Sequence, residues 1–381
     1  MKEYKLSQLL EIKNGKDHKE LPNGNYPVFG SGGIMRYVNE YLYDKPSILL
    51  PRKGSLNNIQ YCDVPFWTVD TLYYTEVNEK LACPYYLYRY LHLLDLSGLD
   101  TGTGVPSMTF DSYYNIKVIL PEIEEQKRVA SVLQTLDYKI ALNRQINDNL
   151  EAMAKQLYDY WFVQFDFPNE EGKPYKSSGG AMVWNEKLKR EIPQEWSDCK
   201  LKDFINLFDS KRVPLSSKDR GERQGVYPYY GATGIMDYVN DYIFDGDYIL
   251  LAEDGSTSDA KGFPIVQYIW GKNWVNNHAH IILPKNERYT MFTYQMLRSI
   301  PAKQIETGSI QKKISQENLC GYKMVLPNSD LLEKYENVVS PLWEKRKRCI
   351  EEINTLTKQR DELLPLLMNG QASVNYHLSA Y

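Results

Sequence analysis

Apolar and turn-forming residues alternate in the same order in two stretches of the chain. Residues 26–36 read YPVFGSGGIMR, and residues 227–237, which lie 201 positions later, read YPYYGATGIMD. A second match, KVILP at 117–121 against KMVLP at 323–327, has an offset of 206. Because chance matches do not recur in one order along a chain, the sequence contains an internal duplication.

Within each copy, short runs rich in Val, Ile, Tyr, Phe and Trp are separated by Gly, Pro, Asn and Asp. This pattern is typical of twisted strands joined by turns. Strands are predicted, for example, at 47–50, 67–69 and 281–283. Each copy is therefore predicted to be a mostly β globular head, and we call residues 1–121 head 1 and residues 195–327 head 2.

After each head the apolar residues recur at seven-residue intervals, as in helices that pack along a shared seam. The first row consists of Val129, Leu136, Asn143, Leu150 and Leu157. Its counterpart, 206 positions later, consists of Tyr335, Leu342, Cys349, Leu356 and Leu363. Two arrangements fit these rows: each helix packs on its own head, or the two helices form an antiparallel pair that links the heads. Their equal length and matching register favour the antiparallel pair.

Ser340 and Pro341 predict where the second long helix begins. Serine is a preferred N-cap, and proline is a preferred first residue of a helix. The offset of 206 places the corresponding start of the first long helix at Thr135. Each helix would then run for about 28 residues, or roughly 42 Å at 1.5 Å per residue.

Together these patterns predict an α+β protein with two similar, mostly β globular domains separated by a pair of long antiparallel coiled-coil helices, in a pseudo-twofold internal repeat. The two copies share their matching segments but differ in length between them. This suggests one scaffold that carries two different binding surfaces. The predicted boundaries are 1–121 for head 1, 122–165 for the first helical spacer, 166–194 for a linker, 195–327 for head 2, 328–369 for the second helical spacer and 370–381 for a C-terminal tail.

The composition is that of an ordinary globular chain, with 43% hydrophobic and 25% charged residues. No apolar run approaches the roughly 18 residues of a membrane span, and the first residues do not resemble a signal peptide, so we expect a cytoplasmic protein without membrane contact. The scattered cysteines, none in a Cys-x-x-Cys pair, fit reduced thiols. The net charge of −4 argues against a nucleic-acid binder unless basic residues are concentrated on one face.

The sequence contains no motif of a stand-alone enzyme. It lacks a G-x-x-x-x-G-K-[ST] phosphate loop, a strand followed by G-x-G-x-x-G and a helix, and the Asp/Asn-Pro-Pro-aromatic signature of methyltransferases. His278 and His280 share one face of a predicted strand, a spacing that can ligate a metal, but no neighbouring Cys or carboxylate cluster in the sequence completes a site. We therefore predict no catalytic residue and no metal ligand.

Three further segments carry a resemblance to a known family. They are LEAMAKQLYDYWFVQFDFP at 150–168, PYKSSGGAMVWNEKLKREIPQEW at 174–196 and RDELLPLLMNGQ at 360–371. With the order head, helix, head, helix, they make almost the whole chain resemble the specificity subunit of type I restriction-modification systems. The resemblance implies a non-catalytic subunit in which two target-recognition domains each read one half of a bipartite DNA sequence, across a fixed unread gap for which the helices act as a spacer.

The same resemblance implies the partners, which are double-stranded DNA, two methyltransferase subunits and the restriction subunits. No cofactor is expected on this chain; S-adenosylmethionine, ATP and Mg²⁺ are expected on the partner subunits. Two other classes stay open. A duplicated ligand-binding β module, for example for glycans, would leave the paired helices without a role. A subunit of a fused restriction enzyme would need catalytic motifs that the sequence lacks.

Candidate DNA-reading residues lie in loops that occupy equivalent positions in the two heads but carry different side chains. Arg52 and Lys53 of head 1 stand where head 2 has Glu253 and Asp254. Arg and Lys suit guanine in the major groove, whereas Glu and Asp accept a hydrogen bond from cytosine N4. Two readers of different sequences would need this difference; the alternative is ordinary surface drift between old duplicates.

A third loop precedes the last strand of each head, at residues 101–107 and 307–313. Its Gly and hydroxyl residues permit close approach to phosphates, and its lysines in head 2 add positive charge. The DNA-binding candidates in head 1 are Ser31, Gly32, Arg36, Arg52, Lys53, Ser55, Thr101, Thr103 and Ser107. Those in head 2 are Lys211, Arg212, Thr233, Glu253, Asp254, Ser256, Asn277, His278, Thr307, Ser309, Gln311, Lys312 and Lys313.

The apolar and aromatic ends of the long helices are candidate contacts with the partner subunits, with packing inside the chain as the alternative. Methylation of a duplex base requires that the base be flipped out, so the heads and helices must leave room for the partner to do this. The candidate partner-binding residues are Leu157, Tyr160, Trp161, Phe162, Leu363 and Leu367.

Overall fold

The protein divides into two compact units, each with one head and a part of each long helix. Unit 1 comprises Met1–Gln145 and the chain from Cys349 onward, and unit 2 comprises Ile146–Arg348. These units group the chain differently from the sequence-based domain boundaries, which stay predictions. The structure is a computed structural model that describes residues 1–54, 56–99 (residue 97 by its backbone only), 106–308 and 311–374.

The described part of head 1 is mostly β, as its short apolar runs predict. Its strands are β1 (Lys2–Lys5), β2 (Leu10–Lys13), β3 (Asn23–Gly30), β4 (Gly33–Val38), β5 (Ser47–Pro51), β6 (Gln60–Cys62), β7 (Trp67–Thr68), β8 (Leu72–Val77) and β9 (Lys117–Leu120). Its helices are α1 (Leu6–Leu9), α2 (Pro84–His92) and α3 (Phe110–Tyr114).

Two sheets form the framework of head 1. Strands β2, β8, β5 and β6 make an antiparallel sheet in that order, and β4, β3 and β7 make a second sheet in which β3 and β7 run parallel. The first strand, β1, pairs with the last, β9, and so closes the head. All five residues of β5 are buried, because apolar side chains cover both faces of this central strand.

The described part of head 2 is again mostly β. Its strands, after the linker hairpin β10 (Met182–Asn185) and β11 (Arg190–Pro193), are β12 (Ser197–Lys200), β13 (Ile205–Leu207), β14 (Gln224–Tyr230), β15 (Ile235–Val239), β16 (Phe244–Asp245), β17 (Tyr248–Ala252), β18 (Val266–Ile269), β19 (Lys272–Val275), β20 (Ala279–Pro284), β21 (Glu306–Thr307), β22 (Lys313–Ile314) and β23 (Lys323–Leu326). The helices that follow the long helix α4 (Ile123–Tyr158) are α5 (Leu201–Phe204), α6 (Ser217–Glu222), α7 (Thr290–Ser299) and α8 (Gln316–Gly321).

Head 2 repeats the framework of head 1. Its sheet β13-β20-β17-β18 corresponds to β2-β8-β5-β6, and its β14–β15 hairpin with the parallel strand β19 corresponds to β3–β4 with β7. In head 2 the short strand β16 pairs Phe244 with Asn273, where head 1 has a single bridge between Tyr43 and Phe66. The predicted duplication of one mostly β scaffold is therefore confirmed.

The long helices are α4 (Ile123–Tyr158), which continues into a π-turn, and α9 (Ser329–Met368). The predicted helix starts at Pro341 and Thr135 are wrong, because both residues lie inside these helices. A proline inside a helix costs about 3 kcal/mol, but Val339 and Trp343 on either side of Pro341 are fully buried in the core of unit 2. Their packing holds the helical conformation, and Asn328 caps the true start by accepting a hydrogen bond from the Leu331 N–H.

In each unit, taken by itself, segments of both long helices pack on the head. In unit 1, Arg360 donates to Asp137 at 3.0 Å, and the α9 residues Leu364 and Leu367 share a core with Leu133 of α4. In unit 2, Arg346 of α9 donates to Glu151 of α4 at 2.6 Å. The sequence left open whether each long helix packs on its own head or pairs with the other long helix. Both occur, because each head is covered by segments of both helices. No helix in the described ranges is long and apolar enough to cross a membrane.

Candidate nucleic-acid interface

Three loops that are distant in sequence meet in head 1. The chain after β5 runs beside the loop before α3, where the Gly54 N–H donates to the Pro106 carbonyl at 2.9 Å and the Met108 N–H donates to the Arg52 carbonyl at 3.0 Å. The tip of the β3–β4 hairpin joins them, because Asn58 Nδ2 donates to the Ser31 carbonyl at 2.5 Å. The loops predicted to read DNA therefore form one surface.

The cations on this surface differ in how free they are. Among the described residues, Arg52 donates to the Asp70 carbonyl, at 3.3 Å, and lies 6.0 Å from the Tyr73 ring. Lys53 is exposed, and neither side chain forms a salt bridge within the described ranges. Arg36, in contrast, is held against its own head by hydrogen bonds of 2.8 Å to the Leu21 carbonyl and to Asn23 Oδ1. Arg52 and Lys53 are thus the available cations.

A cavity of about 400 Å³ opens beside these two cations. Ser107 is half-buried in its wall and forms a β-bridge with Lys53, whereas Gly32 is exposed at the hairpin tip. The other predicted residues of head 1, Ser55, Thr101 and Thr103, lie outside the described residues.

Head 2 brings the equivalent loops together in the same way. The Ile314 N–H donates to the Glu253 carbonyl at 2.8 Å, and Asp254 forms a β-bridge with Lys313. Gln267 Nε2 donates at 3.0 Å to carbonyls of the β14–β15 hairpin, as Gln60 Nε2 does at 2.9 Å in head 1. Ser309 lies outside the described residues. The exposed uncharged candidates on this surface are Thr233, Ser256, Asn277, Thr307 and Gln311, and Lys211, His278, Lys312 and Lys313 are exposed as well.

The charged loop residues of head 2 are already paired with one another. Glu253 accepts from Arg212 at 2.7 Å and lies 3.1 Å from Lys313 Nζ, and its side chain is only 14% exposed. Burial alone would raise the pKa of Glu253, but these partners hold it below its usual value. The structure therefore gives Glu253 and Arg212 a role in positioning the loop, and leaves Glu253 no free oxygen edge with which to read cytosine.

Two further candidates of head 2 also have acidic partners. Lys312 Nζ lies 3.0 Å from Glu306, and His278 Nδ1 lies 2.6 Å from Asp254. Lys211 is exposed and lies over the Phe208 ring at 5.2 Å. Among the described loop residues, head 2 thus presents mainly hydroxyl and amide groups with Lys211 as a cation that forms no salt bridge, whereas head 1 presents two such cations, Arg52 and Lys53.

A buried polar network lies behind the loops of head 2. His280 is fully buried, with Nδ1 at 2.6 Å from Asp209 and Nε2 at 2.7 Å from the Ile314 carbonyl. Both ring nitrogens of His280 therefore face hydrogen-bond acceptors. Burial alone would raise the pKa of Asp209, but the hydrogen bonds from His280, from the Ile281 N–H and from Gln316 hold it below its usual value.

Asp209, Glu253 and His280 place ligand-type atoms within 4.8 Å of one another. The sequence did not reveal this cluster, because Asp209 lies 71 residues before His280. Its atoms are nevertheless satisfied by the chain itself, and Arg212 supplies the positive charge that a metal would bring. We interpret the cluster as a structural network that fixes the 313–314 segment.

In head 1 a tyrosine takes the place of His280 in holding the third loop against the sheet. Tyr73 occupies the position on β8 that His280 occupies on β20, since each pairs with the corresponding residue of the central strand, Leu50 or Leu251. The Tyr73 hydroxyl donates to the Met108 carbonyl at 3.3 Å, as His280 does to Ile314. A single scaffold position therefore anchors the third loop in both heads.

The predicted partner-binding residues at the helix ends are divided between core and surface. Trp161, Phe162 and Leu367 are each 6% exposed, and they pack in the cores of their own units. Leu157 is half-buried against the core of unit 2. Tyr160 and Leu363 keep exposed surface, so the prediction of a partner contact now depends on these two residues.

The chain has relatives over most of its length. Residues 1–152 and 193–336 match the family described as the type I restriction modification DNA specificity domain. The MjaIX specificity subunit of Methanocaldococcus jannaschii is 25% identical over 93% of this chain and 86% of its own length. A putative type I specificity subunit of Haemophilus influenzae is 33% identical over 37% of this chain and 35% of its own length.

A solved structure shares the fold. The type I restriction-modification S subunit from M. genitalium superposes with a TM-score of 0.65 at 18% identity, covering 96% of this chain and 95% of that chain. The two relatives above are named specificity subunits, which confirms the prediction that the chain is of a non-catalytic class. Because the family match covers well over half of the sequence, this protein belongs to the type I restriction-modification DNA specificity family.

Proposed function

We propose that this chain reads a bipartite DNA target, one half with each head, across a fixed unread gap. One observation carries the proposal: the two heads bring the same three loops together on the same scaffold, but with different free polar groups. In the part of head 1 that the structure describes, Arg52 and Lys53 form no salt bridge, whereas head 2 offers mainly amide and hydroxyl groups such as Asn277 and Ser256, together with Lys211. Equal frames with unequal polar groups suit two readers of different half-sites.

The available groups match the chemistry of base edges and phosphates. Arginine binds guanine O6 and N7 in the major groove, while Asn and Gln bind adenine N6 and N7. Contacts to phosphates fix the register on the duplex without reading sequence. Arg52 and Asn277 are therefore the candidates for base contacts, and Lys53 is a candidate for a phosphate contact.

The chain in this proposal acts by positioning other subunits. It would hold one methyltransferase subunit at each half-site and allow restriction subunits to join the complex. S-adenosylmethionine would bind the methyltransferase subunits, and ATP with Mg²⁺ would serve the restriction subunits. The exposed helix-end residues Tyr160 and Leu363 are candidate contacts in this assembly.

Genome-wide detection of methylated adenine by single-molecule sequencing tests the proposal. Cells with the cognate methyltransferase subunit are compared with and without this chain. We expect a split motif with a constant gap only when the chain is present. An active methyltransferase without any chain-dependent motif would contradict the proposal.

An exchange of residues 1–121 for the corresponding head of another specificity subunit tests the division of labour. We expect one half of the motif to change while the other half and the gap stay the same. A simultaneous change in both halves would contradict a model in which each head reads its own half. The unexchanged chain, measured in the same strain, is the control.

A further inference from the structure

The β3–β4 hairpin of head 1 exposes three large apolar side chains. Ile34, Met35 and Tyr37 are 51%, 60% and 50% exposed. Contiguous exposed apolar groups mark interaction surfaces, whereas single ones need no explanation. The counterparts in head 2 are similarly exposed, with 47% for Ile235, 55% for Met236 and 48% for Tyr238. We call the two sets the apolar hairpin faces.

The two hairpins are also built alike around these side chains. In each, the methionine sulfur fills the space that a Cβ on the glycine before the tip, Gly30 or Gly231, would take. A pair of tyrosine rings with centroids 5.2 Å apart supports each hairpin, and these pairs are Tyr26 with Tyr41 and Tyr227 with Tyr242. The scaffold therefore presents the same apolar surface twice.

An exposed surface that is the same in both heads needs a partner that is the same at both half-sites. Core packing explains repeated residues that are buried, such as Val38 and Val239, but it does not explain repeated residues in solvent. The bases of the two half-sites differ if the heads read different sequences. The shared partner is therefore either the general shape of the duplex or a protein that is present in two copies.

The charges beside the apolar hairpin faces favour a protein. Glu40 and Asp44 follow β4 in head 1, and Asp241 and Asp245 follow β15 in head 2. All four are exposed, and none forms a salt bridge within the described part of the chain. The neighbouring cations are Lys45, which follows Asp44, and Lys272, which lies opposite Asp245, so that each set keeps one excess negative charge. Acidic side chains oppose binding to phosphates. An apolar centre with an acidic flank is complementary to a protein surface with an apolar centre and a basic rim.

We propose that the apolar hairpin faces are docking surfaces for two copies of one protein, the methyltransferase subunit, with one copy on each head. This inference rests on the proposed function, which supplies a protein partner present twice. The hairpin tip at Ser31 belongs to the DNA-reading loops, while Met35 and Tyr37 lie on the strand that leaves it. Each hairpin would then touch DNA with its tip and the methyltransferase with its exposed strand, which places the enzyme beside the half-site.

Substitution of one face at a time tests this arrangement. The head 1 variant carries Ile34→Thr, Met35→Gln and Tyr37→Ser, and a second variant carries the same changes at the head 2 positions. The control is Trp184→Ser on β10, because Trp184 is 56% exposed but lies outside both hairpins. Native mass spectrometry counts methyltransferase copies per chain, and titration gives the affinity of each copy.

We expect the unchanged chain and the Trp184→Ser control to bind two methyltransferase copies. Each single-face variant should bind one copy normally and the other at least about tenfold more weakly, as expected when central interface side chains are lost. Circular dichroism checks the fold. If a triple variant does not fold, the single change Tyr37→Arg replaces it, since a positive charge opposes a basic rim while leaving the strand otherwise intact.

Three results would overturn this inference alone. The first is two methyltransferase copies bound with normal affinity by a variant changed on both faces. The second is a loss of DNA affinity by that variant without its methyltransferase partner, which would assign the faces to DNA. The third is loss of self-association with methyltransferase binding retained, which would assign them to a second copy of this chain. An unchanged chain that binds no methyltransferase would overturn the proposed function as well.

Discussion

Lys53 is expected to contribute a full unit of positive charge to DNA binding by head 1. Its side chain is exposed and has no carboxylate partner among the described residues. An unpaired lysine that neutralises one phosphate releases about 0.9 of a counterion. Lys53→Ala should therefore reduce the slope of log affinity against log salt concentration by about 0.9.

Lys312 in head 2 is the matched control, because the same substitution removes a charge that is already compensated. Its Nζ lies 3.0 Å from Glu306. Burial alone would raise the pKa of Glu306, but hydrogen bonds from Lys312 and from nearby hydroxyl groups keep it below its usual value. Lys312→Ala should therefore change the slope by less than about half as much as Lys53→Ala.

Fluorescence anisotropy with a labelled duplex that carries the target measures both slopes, in a series from about 50 to 200 mM salt. The chain is used in complex with its methyltransferase subunit. Equal slope changes for the two variants would refute the reasoning from pairing, and so would an unchanged slope for Lys53→Ala. Circular dichroism of each variant controls for unfolding.

Further predictions concern base contacts, the buried network and the helix core. Arg52→Ala should weaken target binding by about 1–3 kcal/mol and relax discrimination in one half-site only, measured with duplexes mutated in either half. Asp209→Ala should destabilise unit 2 by about 3–5 kcal/mol in urea, because it removes the buried carboxylate that His280, the Ile281 N–H and Gln316 share as a hydrogen-bond partner. The pKa of Asp209 is lowered in the folded state, so the stability that this residue contributes should be present above its unfolded pKa near 4 and be lost as the pH falls. Asp209→Asn should remove this part of the acid sensitivity of unit 2. Burial raises the pKa of Glu336 to about 7, so stability should fall as the pH rises from about 4 to above 7, and Glu336→Gln should be more stable than the unchanged chain at pH 8 by about 1–3 kcal/mol.

The internal repeat allowed much of the scaffold to be predicted from sequence. Turns and buried strands of the two heads correspond at a nearly constant sequence offset. The sequence therefore identifies which loop of head 2 is equivalent to each loop of head 1. The same comparison could have found the glutamines that hold the hairpins, because Gln60-Tyr61 recurs as Gln267-Tyr268. That signal was available and lies in the strand beside the predicted loops.

Other features depend on contacts that a linear pattern does not contain. Pro341 has the local preference of a helix start, yet buried neighbours on both sides keep it inside α9. The charge of a loop residue also does not predict whether that residue is free to contact DNA. Glu253 is paired with Arg212, which lies 41 residues earlier in the sequence. Pairing of strands β13, β20 and β17 brings these residues together, and that pairing follows from the tertiary fold.

The end of α9 has a consequence for the order in which the chain can fold during synthesis. Leu364, Leu367 and Met368 belong to the same core as Leu6, Ile48 and Val118 of head 1. Unit 2 is continuous in sequence, so all of its residues have left the ribosome before unit 1 receives its last helical segment. Head 1 is therefore translated first but completed last, and until then the nascent chain exposes the apolar side chains that α9 will cover.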